Sequence, residues 1–216
     1  MDIGAHRGRH TVPMAQCVGE GGKVWAFEPL PGIRAELEQA VGASSGGLGH
    51  VEIRPEALSE TAAESSFVFV SNWPEYSGLR ERTYDAPAEL QRIPVTAARL
   101  DDVLGDASPI RLIKIDAEGG EYHALRGAQQ RLRRDRPLVL FEFGDNAISG
   151  YSDVSSRKMA QLLVGHGFAL LDIRGRPLDV EAFVVSSAEQ SVWDYAAVPA
   201  ERSELLARVQ STLSRA

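Results

Sequence analysis

Short apolar runs alternate along this chain with longer segments in which apolar residues recur every three or four positions. The longer spacing is typical of amphipathic helices, and the short runs are typical of strands that are buried in a sheet. Helices are predicted over residues 11–18, 31–41, 121–133, 154–165 and 199–214. Strands are predicted over residues 23–28, 51–53, 65–70, 110–115, 137–143, 168–173 and 182–185, with further extended chain over 93–96.

Strands that alternate with helices predict a mostly parallel sheet with helices on both faces. The last two predicted strands, 168–173 and 182–185, are separated by sequence rich in Gly and Pro, so they could form a hairpin with an antiparallel edge. Residues 71–90 show no periodicity and are unusually long for a connection. We therefore expect a lid or substrate loop at 71–92 within a single domain that spans residues 1–216.

Composition narrows the classes of protein to which the chain can belong. The 216 residues include 23 Lys and Arg against 30 Asp and Glu, a net charge of −7, so binding to nucleic acid is not expected. The single Cys excludes an intrachain disulfide. The chain has no apolar run long enough to span a membrane, and its first residues lack the apolar stretch of a signal peptide. We therefore expect a cytoplasmic protein with no membrane partner.

Acidic residues follow several of the predicted strands. Ligands of open α/β sheets bind beyond the carboxyl ends of the strands, so these positions matter most for function. They include Asp2, Glu28, Asp116, Glu118 and Glu142. Carboxylates gathered there suit a ligand that carries hydroxyls and a positive charge, and they would repel a pyrophosphate.

Two glycines and one glutamate resemble parts of a nucleoside site. Gly4 and Gly8 lie between a strand and a helix, but their spacing is not that of the dinucleotide-binding fingerprint, and a plain tight turn is an equal alternative. Glu28 ends the next strand, where a carboxylate can accept hydrogen bonds from both hydroxyls of a ribose. Taken alone, Glu28 would more often cap a helix or face solvent than bind a ribose.

The order of the motifs along the chain is more specific than any one of them. In sequence they are Asp2-Ile3-Gly4-Ala5-His6-Arg7-Gly8, Phe27-Glu28-Pro29, Ala57-Leu58-Ser59, Arg99-Leu100-Asp101-Asp102-Val103-Leu104, Ile113-Lys114-Ile115-Asp116-Ala117-Glu118-Gly119-Gly120-Glu121 and Leu140-Phe141-Glu142. This string resembles the FkbM family of S-adenosylmethionine-dependent methyltransferases from Asp2 to about Phe143. The resemblance implies the Rossmann-like class I methyltransferase fold, an α/β fold with a mostly parallel seven-stranded sheet, helices on both faces and an antiparallel strand near the C-terminus. It also implies O-methylation of a hydroxyl on a small molecule, sugar or natural product.

The resemblance further implies a set of residues that bind S-adenosyl-L-methionine. These are Asp2, Gly4, Ala5, His6, Gly8, Glu28, Ala57, Leu58 and Asp116. The first loop would lie under the methionine moiety, Glu28 would hold the ribose hydroxyls, and Ala57 and Leu58 would flank the adenine. His6 stands where the family often has Asn, and either side chain can form a hydrogen bond.

Methyl transfer to a hydroxyl needs alignment and is helped by a base. The resemblance places Asp116 and Glu118 beside the sulfonium and the acceptor, so these two are the predicted catalytic residues, ahead of His123 and Glu142. For His123 a capping or surface role is the more common one. No metal site is predicted; the alternative is a Mg²⁺ shared by Asp116 and Glu142, for which the sequence offers no third ligand.

The chain departs from the family pattern at its start, because only Met1 precedes Asp2 where the family has several apolar residues. We expect either that the native protein starts upstream of Met1 or that this is a shortened form with impaired binding. The alternative function is therefore a non-catalytic or cofactor-impaired binding protein with the methyltransferase fold. A nucleotide-dependent oxidoreductase is less favoured because the first loop lacks a third glycine. The expected partner is a small hydroxylated substrate.

Overall fold

Eleven strands are present in the computed structural model, which describes residues 1–44, 48–105 and 108–215. In chain order they are β1 (Asp2–Ile3), β2 (Lys23–Phe27), β3 (His50–Arg54), β4 (Ala57–Leu58), β5 (Ala63–Val70), β6 (Leu90–Ala98), β7 (Leu112–Ile115), β8 (Leu138–Glu142), β9 (Phe168–Asp172), β10 (Pro177–Leu178) and β11 (Asp194–Pro199). Eight of them form one large sheet in the order β10-β9-β11-β8-β7-β1-β2-β3, and β4, β6 and β5 form a small second sheet.

The large sheet is parallel from β3 through β2, β1 and β7 to β8. Strand β1 lies in the middle of this run, with Asp2 opposite Ala26 on β2 and Lys114 on β7. Strand β11 is antiparallel to both of its neighbours, β8 and β9, and β10 adds a short antiparallel edge. The predicted α/β fold class is thus confirmed, with one more strand than the expected seven.

Helices cover both faces of the large sheet. They are α1 (Thr11–Val18), α2 (Pro31–Ala43), α3 (Leu100–Leu104), α4 (Glu121–Arg126), α5 (Gln129–Asp135), α6 (Ser156–Gly165), α7 (Val180–Glu189) and α8 (Ser203–Leu213). Successive side chains of a strand point to opposite faces of the sheet, so alternate residues of β11 pack in different apolar clusters. Tyr195 and Ala197 join the main core, which includes Phe183 of α7, whereas Ala196 and Val198 pack in a separate cluster with α8.

The prediction of a strand over 182–185 is wrong, because this segment lies inside helix α7. Asp179 caps the helix by accepting a hydrogen bond from the amide of Ala182 at 2.8 Å, and Phe183 is fully buried. A run of four apolar residues does not by itself distinguish a strand from the buried face of a helix. The antiparallel strands near the C-terminus are instead β10 and β11.

The helix predicted over 121–133 is divided into α4 and α5 around Gly127. A Cβ built on Gly127 would lie 2.0 Å from the main-chain oxygen of Ser59, so the backbone of the second sheet passes directly against this junction. The last helix begins at Ser203 rather than at 199, because Pro199 is still the end of β11.

The second sheet carries the long loop that the sequence predicted. Strands β5 and β6 form an antiparallel hairpin, and residues 71–89 connect them. The expected lid at 71–92 therefore overlaps the first three residues of β6. The loop folds back on its own hairpin, since Val68 and Gly78 exchange two backbone hydrogen bonds of 2.8 and 3.1 Å. In the described part of the chain, no helix is both long and apolar enough to cross a membrane.

Candidate functional site

A cleft of about 210 Å³ opens where β1, β2 and β7 end, beneath the second sheet. Eight of the site residues predicted from the sequence line it, namely Gly4, Ala5, His6, Glu28, Ala57, Leu58, Asp116 and Glu118. Asp2 and Gly8 do not line the cleft: Asp2 belongs to β1, and Gly8 lies within the loop that follows it. The structure therefore brings together residues that are more than 100 positions apart in sequence.

The first loop, residues 4–10, lies tightly against the ends of the neighbouring strands. The amides of Gly4 and Ala5 both donate to the carbonyl of Phe27, at 3.1 and 3.0 Å. Gly4 has a φ of +72°, and a Cβ at this position would lie 1.7 Å from the main-chain oxygen of Asp116. Only glycine fits both the conformation and the space. Gly4 is thus the point at which the β1 and β7 loops meet.

Asp2 and Gly8 fix the first loop to the helices that pack beside it. Asp2 is fully buried and accepts a hydrogen bond of 2.6 Å from the hydroxyl of Thr11, the first residue of α1. Gly8 has a φ of +87°, and a Cβ there would lie 2.9 Å from Leu37 of α2. Both residues can shape the loop, but neither lines the cleft where a ligand would sit.

Glu28 is held at the end of β2 by the backbone around it. Its two carboxylate oxygens accept hydrogen bonds from the amides of His6 and Leu30, each at 2.9 Å. The side chain is 4 % exposed and lines the cleft. Burial raises the pKa of the Glu28 carboxyl to about 7, although the two amides and the nearby Arg34 lower it. Each oxygen keeps a second lone pair with which to accept from a ligand hydroxyl.

Lys114 connects two of the predicted acids. Its ammonium lies 3.2 Å from Asp116 Oδ2 and 3.7 Å from Asp2 Oδ1, and only 12 % of its side chain is exposed. Lys114 also lines the cleft. No role could be predicted for Lys114 from the sequence, because a lysine inside a β-strand forms no motif of its own.

The loop after β7 is shaped by Glu121, the first residue of α4. Its Oε1 accepts from the amides of Ala117 and Gly119 at 2.7 and 3.3 Å. Glu118 lies between them with a φ of +50°, which is uncommon for a residue with a side chain. Burial raises the pKa of the fully enclosed Glu121 carboxyl to about 7. The hydrogen bonds of Glu121 to the loop amides could not be predicted from its position three residues after Glu118.

Glu118 is paired with a residue of the long loop. Arg82 Nη1 donates to Glu118 Oε2 at 2.6 Å, and the side chains are 11 % and 16 % exposed. Burial raises the pKa of the Glu118 carboxyl to about 9; the Arg82 guanidinium lowers it, and Asp116 and Glu142 raise it further. The guanidinium also lies 4.7 Å from the ring centre of Tyr76. No sequence signal identified Arg82, because the segment that holds it shows no periodicity.

The opposite wall of the cleft is apolar. Ala57 and Leu58 of β4 are both buried, and Phe67 of β5 and Leu79 of the loop line the cleft beside them. This wall comes from the second sheet, whereas the carboxylates come from the large sheet. The cleft therefore has one face suited to a flat apolar ring and another suited to hydroxyls and positive charge.

His123 lies outside the cleft. Its two ring nitrogens lie 3.1 Å from Glu60 and 3.5 Å from Asp153, and these three side chains form a group with the spacing of metal ligands. Within the described ranges, Asp116 and Glu142 belong to no such group. Burial, together with Asp116, raises the pKa of the partly buried Glu142 to about 7.

Comparison with known proteins identifies the family of this chain. Residues 2–170 match the sequence profile of the methyltransferase FkbM domain. Among solved structures, the methyltransferase FkbM of Methylobacillus flagellatus KT is similar at 15 % identity and a TM-score of 0.47, over 91 % of this chain and 42 % of that one. The chain thus spans less than half the length of that protein. Comparison with curated protein sequences gives no match. Because the profile covers more than half of the chain, this protein belongs to the FkbM family of methyltransferases.

Proposed function

We propose that the chain is an S-adenosylmethionine-dependent O-methyltransferase that acts on a hydroxyl of a small molecule, such as a sugar or natural product. The observation that carries this proposal is the fixed carboxylate of Glu28 at the end of β2. It is buried, it lines the cleft, and both oxygens are oriented by backbone amides. Two carboxylate oxygens held in this way can accept hydrogen bonds from the two hydroxyls of a ribose.

The remaining residues of the cleft fit the same cofactor. The apolar wall around Ala57 and Leu58 suits an adenine ring, and Gly4, Ala5 and His6 of the first loop line the same cleft as the acids that follow β7. Asp2 and Gly8 hold that loop in shape. A pyrophosphate would meet the carboxyl groups of Glu28, Asp116 and Glu118, and each of these groups opposes it when ionised.

When bound, S-adenosylmethionine supplies a methyl group on a positively charged sulfur that leaves as a neutral thioether, so no acid is needed. The acceptor oxygen forms the new bond to carbon and loses its proton. Asp116 and Glu118 line the cleft and are the proposed acceptors of that proton. Burial raises the pKa of Glu118 to about 9, so this carboxyl group can accept the proton only after it has lost its own, which favours transfer at alkaline pH. Lys114 and Arg82 orient these two side chains by ion pairing.

Calorimetric titration with S-adenosylhomocysteine tests the proposal. Glu28→Gln keeps the size of the side chain and removes its negative charge, so the affinity of the variant falls by about 10- to 100-fold. Glu64→Gln is the matched control, because Glu64 is exposed on β5 and lines neither the cleft nor the neighbouring cavity. An undetectable affinity in the parent protein contradicts the enzyme assignment and favours the non-catalytic alternative. Equal affinity in the parent protein and Glu28→Gln contradicts the ribose assignment.

A further inference from the structure

A second cavity of about 670 Å³ adjoins the cleft. It lies between the long loop of residues 71–89, the end of β8 and the residues just before β11. Glu75 lines both spaces, so a molecule held in the second cavity would lie next to the cleft. Arg82 also lines this cavity while its guanidinium contacts Glu118 in the cleft. The cavity is therefore placed where an acceptor would reach the proposed catalytic residues.

Aromatic rings form much of the wall of this second cavity. Trp73, Tyr76 and Tyr84 come from the loop, and Trp193 comes from the segment before β11. Tyr76 and Trp193 are 40 % and 41 % exposed, which is high for side chains of this size. Aromatic faces left open in a cavity bind flat rings by stacking and cations by their quadrupole.

The charges on the same wall are mostly negative. Glu75, Asp85 and Glu142 line the cavity, and Arg82 is the one described residue in its lining that carries a positive charge. That charge is already paired, because the guanidinium contacts Glu118 and the ring of Tyr76. Asp116 and Asp194 add negative potential at Glu142. A phosphate or carboxylate on the acceptor would meet this potential without a free cation to balance it.

We propose that the second cavity is the acceptor site, and that it selects a hydroxylated ring that carries a protonated amine. The ring stacks on the aromatic wall, and the ammonium group lies near Glu142 and Asp85. The hydroxyl points toward Glu118 and Asp116 in the cleft. This inference rests on the proposed function for the identity of the reaction, but not for the preference for positive charge.

Three cyclohexanol probes whose second substituent is positive, neutral or negative test the inference. They are trans-4-aminocyclohexanol, cyclohexane-1,4-diol and trans-4-hydroxycyclohexanecarboxylate, titrated into the full chain by ligand-observed NMR in the presence and absence of S-adenosylhomocysteine. The amine binds about tenfold more tightly than the diol, and the carboxylate binds more weakly than the diol. Glu142→Gln and Asp85→Asn each lower the preference for the amine several-fold, whereas the exposed Glu64→Gln leaves it unchanged.

The outcomes separate this inference from the proposed function. If S-adenosylhomocysteine binds but the three probes bind equally, or the amine does not bind at tens of millimolar, the inference is overturned and the function stands. If the amine is preferred and the variants weaken it while S-adenosylhomocysteine does not bind, the cationic site stands and the methyltransferase proposal does not. A preference that both variants leave unchanged places the amine elsewhere and also overturns the inference.

Discussion

A buried carboxyl group with a raised pKa is unfavourable for folding at neutral pH, and Glu28 is such a group. Removing an ionised carboxylate from water costs free energy, which the amides of His6 and Leu30 repay only in part. The group lines the cleft, where a ligand can offer it further hydrogen bonds. Glu28 thus lowers the stability of the free protein, and on the proposed function this cost holds a carboxylate in place for the ribose hydroxyls.

The cost of burying the ionised Glu28 carboxylate can be measured from the way the free energy of unfolding changes with pH. The folded carboxyl of Glu28 keeps its proton up to about pH 7, whereas in the unfolded chain the proton is lost near the ordinary value of 4.5. The protonated carboxyl of Glu28 therefore stabilises the folded state relative to the ionised one. This contribution is complete below about pH 4.5 and is lost as the pH rises through about 7. Relative to Glu28→Gln, the parent protein loses about 3 kcal/mol of unfolding free energy between about pH 4.5 and pH 8.

Urea unfolding of both proteins across this range measures that loss. The comparison uses the change with pH rather than the absolute difference, because the glutamine also alters the two amide contacts. The control is Glu64→Gln, which removes an exposed carboxylate and leaves the pH profile of the parent protein unchanged. Parallel profiles for Glu28→Gln and the parent protein would show that the Glu28 carboxyl ionises normally.

Residues in the motifs were predictable, and their supporting partners were not. Glu28 and Asp116 could be found because strand ends are recognisable in sequence and ligands bind there. Arg82 reaches Glu118 from 36 positions away, through a loop whose path no periodicity specifies. Glu121 lies inside a motif, but its hydrogen bonds to the amides of Ala117 and Gly119 depend on a loop conformation that only the folded chain shows.

At the scale of elements, residues 81–83 join the long loop to the loops that follow β7 and β8. Arg82 binds Glu118, and the amide of Thr83 donates to the hydroxyl of Ser149 at 2.9 Å. The main-chain oxygen of Glu81 also lies close to Gly150, where a Cβ would approach it to 2.2 Å. The Arg82 ion pair is the buried contact among these, so it is the main electrostatic restraint on the loop.

Removal of this restraint is expected to loosen the loop. In Arg82→Ala, amide hydrogen exchange across residues 79–86 becomes about tenfold faster, because the buried ion pair and the contact with Tyr76 are both lost. The matched control is Arg92→Ala, which breaks an exposed ion pair with Glu81 in the same region. Exposed pairs contribute little, so exchange in the control stays near that of the parent protein. Equal acceleration in both variants, measured by mass spectrometry, would contradict the assignment.

Elements were predictable wherever packing against the sheet sets a clear period. The strands β2, β3, β7 and β8 lie within two residues of the predicted bounds. The segment 182–185 was predicted as a strand because a helix with one buried face and a short strand can both contain the same run of apolar residues. The division of α4 from α5 at Gly127 follows from contact with Ser59, which is distant in sequence and invisible to local patterns.

For the molecule as a whole, the distribution of charge matters more than its total of −7. Among the described residues, three carboxyl groups with a raised pKa line the two cavities, namely Glu28, Glu118 and Glu142. Each of them loses its proton as the pH rises from about 6 to about 9. The negative potential of the site therefore grows across this range, and a cationic ligand gains affinity.

S-adenosylmethionine and S-adenosylhomocysteine differ by one methyl group and the positive charge on sulfur. Comparing their affinities therefore tests whether the carboxyl groups act on that charge. We expect the ratio of their affinities to shift in favour of S-adenosylmethionine by about tenfold between about pH 6 and pH 9. Calorimetry at the two pH values gives this ratio directly. A ratio that stays constant or falls would mean that the carboxyl groups do not act on the sulfur position.

The long loop is inserted between two strands of a hairpin that contributes nothing to the pairing of the large sheet. A segment of another length or composition can be grafted between Val70 and Leu90 at small entropic cost, with every ladder of the eight-stranded sheet retained. On the proposed assignment of the second cavity, such a graft changes the wall that faces the methyl acceptor, while the strands that position Glu28 and Asp116 keep their pairing.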